Sequence, residues 1–69
     1  MLEKSLAEKR FNLELGHAIH ARRLDLGTSQ IELSEKTGIG YNKIRKYESG
    51  FSTISLHQLD KILRVMRGL

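Results

Sequence analysis

Glycines at positions 27, 38, 40 and 50 cut the middle of this 69-residue chain into short segments. Helices of eight or nine residues are marginal on their own in water. Such a chain must fold as several short helices that hold one another in place. Strands are not indicated, since there is no period-two apolar alternation, no β-branched run and no proline.

The pattern predicts a first helix over about Asn12 to Leu26, where Leu15, Ala18, Ile19, Arg22 and Leu26 recur at three- and four-residue steps before Gly27. Residues 1–11 are read as an arm or partial helix, because Leu2 and Leu6 lie four apart and Ser5 with Glu8 has capping-box spacing. Ser29 and Glu32 form a stronger capping box, opening a helix from Gln30 to about Thr37 that stops at Gly38. A third helix spans about Tyr41–Ser49. A fourth starts near Ser55 and puts Leu56, Leu59, Ile62, Leu63 and Met66 on one stripe. The fold class is therefore all-α, a bundle of four to five short helices. Residues 12–69 form one domain, with a helix-turn-helix unit at about 29–49.

Composition narrows the function. A chain this short makes at most one small domain, and with no cysteine it has neither a disulfide framework nor a thiolate metal site. No apolar run exceeds two residues, so no membrane span is expected, and the N-terminus lacks the apolar stretch of a signal peptide. The cytoplasm is the expected location. Residues 1–37 carry six basic and six acidic side chains, whereas residues 38–69 carry six and two. The whole surplus of +4 thus lies in the second half, and Lys43, Arg45 and Lys46 meet no acid before Glu48. A polyanion is a reasonable partner.

The third helix separates into two faces at about 100° per residue. With Tyr41 at zero, Arg45, Asn42 and Lys46 fall near 40°, 100° and 140°, whereas Tyr47 and Ile44 fall near 240° and 300°. One face is apolar. The other offers an amide, a phenol and two cations, groups able to reach base edges and phosphates. Glu14, His17 and His20 share a helix face at three-residue steps, but a solvated face explains them better than a metal site does. His57 stands alone. No nucleophile–base set, phosphate-cradling glycine loop or carboxylate pair is visible, so neither an enzyme nor a cofactor is expected.

From Leu15 to about Met66 the chain resembles the XRE, or Cro and lambda-repressor-like, helix-turn-helix proteins. The likeness is carried by Leu15-Gly16, Ile19, Arg22-Arg23 and Gly27, then Ser29-Gln30, Leu33, Gly38-Ile39 and Ile44. It continues through Tyr47-Glu48-Ser49-Gly50, Ser55-Leu56, Leu59 and Lys61-Ile62. The resemblance implies a DNA-binding regulator, a repressor acting as a homodimer on a palindromic operator. It implies base contacts from Gln30, Tyr41, Asn42 and Lys46, phosphate contacts from Ser29, Lys43 and Arg45, and an internal ion pair between Arg23 and Glu48. Many relatives add a fifth helix that builds the dimer face. Here that face would fall to Leu63, Val65, Met66 and Leu69, or to Leu2 and Leu6 of the arm. Gly40 replaces a usual capping Ser or Thr, Thr28 a usual apolar residue and Ser34 a usual Ala. The stretch from Phe51 through the fourth helix also resembles small antitoxins, which implies Phe51 and Ile54 as anchors for a toxin-like protein. A module binding only protein is the third reading.

Overall fold

The computed structural model describes residues 5–69. Among them the chain forms α1 (Leu6–Asp25), α2 (Gln30–Thr37), α3 (Tyr41–Glu48) and α4 (Leu56–Arg67), with no strand. Leu2, one of the two arm contacts expected, lies outside the described residues.

Helix α1 starts at Leu6 rather than Asn12. Ser5 is extended and its hydroxyl accepts the Glu8 N–H at 3.1 Å, which supplies the cap that lets the helix begin there. At about 1.5 Å per residue the 20 residues of α1 span about 30 Å. They account for most of the 38 Å long dimension of the molecule.

The inward face of α1 also differs from the periodic apolar stripe. Asn12, Gly16, Ile19 and Arg23 are buried and Leu15 and Leu26 half-buried, while Ala18 and Arg22 point outward. Polar residues occupy that face because they have partners there. Asn12 Nδ2 donates to Thr53 Oγ1 at 3.0 Å, and that hydroxyl donates to Glu8 Oε2 at 3.1 Å, tying the loop before α4 to α1. Gly16 is buried because α3 passes over it: a Cβ there would stand 2.2 Å from the Tyr47 carbonyl oxygen and 2.9 Å from that of Glu48.

The turn between α2 and α3 is built from side chains as much as from backbone. Gly38 lies at φ 75°, in the left-handed region open to glycine, and its N–H donates to the Ser34 carbonyl at 2.9 Å. Ser34 Oγ donates to the Ile39 carbonyl at 2.6 Å, and Thr37 Oγ1 accepts the Ile39 N–H at 3.2 Å while donating to the Leu33 carbonyl at 2.7 Å. The serine at position 34 thus closes the turn. It sets Ile39 into the core, where it is buried with Leu33, Ile44, Tyr47, Ile62, Met66 and Ile19.

Leu33, Ile44 and Ile62 are fully buried, each worth about 1.5–3 kcal/mol relative to exposure. They join α2, α3 and α4 around one centre, and the Tyr47 hydroxyl donates to Gln58 Oε1 on α4. The apolar stripe of α4 is narrower than its spacing predicts. Leu59, Ile62, Val65 and Met66 meet the core, whereas Leu56 is 85% and Leu63 47% exposed. The reason is geometric: α4 packs mainly on α2 and meets α3 through Tyr47, and these contacts leave the side carrying Leu56 largely open. Met66, expected on a dimer face, is instead 5% exposed inside this chain's own core.

Candidate nucleic-acid interface

Two adjoining features form the site, a buried carboxylate at the end of α3 and the polar outer face of the same helix. The Glu48 side chain is 4% exposed and that of Arg23 6%. Arg23 Nε donates to Glu48 Oε2 at 2.7 Å and its Nη2 to Oε1 at 2.9 Å, a two-pronged pair that binds α1 to the end of α3. Arg23 Nη1 donates to the Thr28 carbonyl at 2.9 Å. Gln30 Nε2 also donates to Glu48 Oε1, at 3.1 Å, and His20 Nδ1 lies 2.8 Å from the same oxygen and 3.1 Å from Arg23 Nη2. Arg23 and Gln30 thus give the carboxylate two hydrogen bonds on Oε1 and one on Oε2, and no buried side-chain nitrogen or oxygen among the described residues lacks a partner.

Burial pushes the Glu48 carboxyl up, but hydrogen bonds from Arg23, His20 and Gln30 together with the Arg23 charge outweigh it, and the group is held below its ordinary value of 4.5. Glu32 is lowered in the same sense by its capping-box bonds with Ser29. A carboxyl whose folded pKa is depressed stabilises fully above its unfolded value, and that stability is lost as pH falls through the folded value. Thermal unfolding is therefore expected to drop to lower temperature as pH is taken below about 4.5, and to drop less over that range in Glu48→Gln. Melts at pH 7, 4 and 3 on both proteins check this; parallel curves would contradict it.

The outer face of α3 lies opposite the buried Ile44 and Tyr47. Tyr41, Asn42, Lys43, Arg45 and Lys46 are all exposed, and among the described residues none of the three cations has an acidic partner. Rings hold two of them. The Arg45 guanidinium stands 5.7 Å from the Tyr41 ring centroid, and Lys46 Nζ 5.8 Å from that of Phe51. No side chain caps α3 at Gly40, so its first amides keep their donors. Ser29 at the start of α2 is more occupied, since its hydroxyl accepts from Glu32 N and its own N–H donates to Glu32 Oε1.

A groove of about 650 Å³ runs between α3 and α1, and it gathers Gln30, Asn42, Arg45 and Lys46 from the residues named from sequence. Ser29, Tyr41 and Lys43 lie outside its lining. His17, His20 and Ser49 line it as well, a position not foreseen for them, together with Glu48, expected as the partner of Arg23, and Phe51, expected as an anchor for a protein partner. A signal for His20 existed, since it stands one helical turn before Arg23 and so shares its edge of α1. Glu14, His17 and His20 make no metal cluster: among the described residues no three potential ligands come together. Leu63 and Leu69 are 47% and 42% exposed and Val65 is half-buried. Phe51 is 72% exposed, whereas Ile54 packs half-buried against the core. No described helix is long and apolar enough to cross a membrane.

Comparison with known proteins agrees with this geometry. Residues 19–68 match the family model described as helix-turn-helix. The sequence is 32% identical over 66 residues to an uncharacterized HTH-type transcriptional regulator of Sinorhizobium medicae, and equally to one of Rhizobium meliloti. Each match covers 96% of this chain and 48% of the relative, so the chain spans about half the length of the curated relatives it matches. No solved structure gives a significant match.

Proposed function

The chain belongs to the helix-turn-helix family, of the XRE type, and on that premise we propose that it is a sequence-specific DNA-binding transcriptional regulator. The observation that supports this best is the outer face of α3, where Asn42, Arg45 and Lys46 stand exposed and, among the described residues, without acidic partners. In this reading α3 enters the major groove of a duplex. Tyr41, Asn42 and Lys46, joined by Gln30, meet base edges; Ser29, Lys43, Arg45 and the uncapped amides of α3 meet phosphates. The protein acts in the cytoplasm as a repressor, a homodimer on a palindromic operator whose half-sites lie about one helical turn apart, where it blocks polymerase access. The exposed Leu63 and Leu69, edged by Val65, are the copy-to-copy contact in this reading. The exposed Phe51 favours a second reading, an antitoxin-like autorepressor that also binds a toxin-like protein, and co-purification with the product of an adjacent gene separates the two.

Titration against duplex over a salt series tests the first reading. Log affinity should fall steeply with log salt. Asn42→Ala should lose about 1–3 kcal/mol on the preferred site and relax base choice there, whereas Lys43→Ala should weaken all sequences alike and flatten the salt slope by about one unit. A salt slope near zero would reject the reading.

A further inference from the structure

The amide of Gln30 is held in one orientation. Its Nε2 donates to Glu48 Oε1 at 3.1 Å, and an amide turned over would set its carbonyl oxygen against an oxygen that only accepts. Glu48 cannot swing aside to relieve this, because it is nearly fully buried and its other oxygen takes Arg23 Nε at 2.7 Å. Gln30 itself is only half-buried and lines the groove with Asn42 and Lys46. With one N–H given to Glu48, the groups left to the groove are Oε1 and the second N–H of Nε2, an acceptor beside a donor.

We propose that Glu48 is a positioning residue for base readout, fixing Gln30 so that it selects adenine at one position of each half-site. This rests on the duplex reading above. Adenine offers the N6 amino donor and the N7 acceptor, the complement of what Gln30 presents, whereas guanine offers two acceptors at N7 and O6. Against guanine the fixed Oε1 would face O6, oxygen to oxygen. A freely turning amide could instead offer its N–H to guanine O6 or to thymine O4, so the selectivity comes from the clamp as much as from Gln30.

Selection of duplexes from a random pool by the wild type, Gln30→Met and Glu48→Gln tests this. The wild type should enrich adenine at one position that Gln30→Met no longer distinguishes, a loss of about ten- to hundredfold in preference there with the remaining positions kept. In Glu48→Gln, whose own amide can donate to Gln30 Oε1, guanine and thymine should enter at that position alone. Gln30→Met is uncharged and of similar length, so it keeps the test decisive if Glu48→Gln does not fold. Equal weakening of all sequences by Gln30→Met, or guanine selected by the wild type at that position, would overturn the proposal. Failure of every protein to select any duplex at low salt would overturn the DNA reading and this proposal together.

Discussion

Replacing Arg23 with methionine is expected to remove about 3–5 kcal/mol of stability, the usual loss when one partner of a buried ion pair is taken away. A chain of this length holds about 3–10 kcal/mol in all, at about 0.05–0.15 kcal/mol per residue. The loss is therefore a large share of the whole, and at the lower end of that range it leaves the variant unfolded. The loss is large because Glu48 stays behind, 4% exposed and stripped of the donors at 2.7 and 2.9 Å, while the Thr28 carbonyl loses Nη1 as well. The charge left unpaired is the cause, not the pair's intrinsic worth, so Arg23→Met combined with Glu48→Leu should regain part of the loss. Urea unfolding at pH 7 measures all three proteins. A single variant within about 1 kcal/mol of wild type would show that the buried pair is not what joins α1 to α3.

Gly16→Ala should be nearly as damaging, although alanine is the better helix former by about 1 kcal/mol. The opposing term is larger. The new methyl would meet the Tyr47 and Glu48 carbonyl oxygens at 2.2 and 2.9 Å, and these are backbone atoms with no rotamer to escape into. Over-packing of this kind costs about 3 kcal/mol at the upper end of its range. The net of about 2 kcal/mol corresponds to a fall in melting temperature of about 8–16 °C for a domain of this size. Gly40→Ala serves as the control, since a Cβ there meets nothing within 4 Å and its φ of −57° suits any residue. A Gly16→Ala protein that melts above wild type would mean α1 and α3 are not in close contact.

These two positions also mark where the sequence was hard to read. The helix-turn-helix unit was legible because its signals are local: Ser29 with Glu32 writes a capping box, Gly38 needs a left-handed turn, and Ile44 with Tyr47 puts one face of α3 inward. The face of α1 was not. Its contacts are Asn12 with a threonine 41 residues away, Gly16 with backbone, and Arg23 with a glutamate 25 residues away. No apolar period records such partners, so the stripe came out displaced, with Ala18 and Arg22 placed inside. On α4 the opposite error arose: Leu56 and Leu63 have core spacing but stand 85% and 47% exposed. At the site, periodicity separated the outer face of α3 from its core face. The reach of Gln30 and His20 to Glu48 depends on how three helices converge and cannot be derived from any one of them.

The central claim is that the face of α3 carrying Asn42, Arg45 and Lys46 is where a duplex docks. Mapping backbone amide shifts by nuclear magnetic resonance during titration with double-stranded DNA tests it most directly. The largest changes should fall on residues 29–30 and 40–46, with the solvent face of α4 unmoved. Changes centred on α4, or on the exposed apolar side of α1 around Phe11, would contradict it.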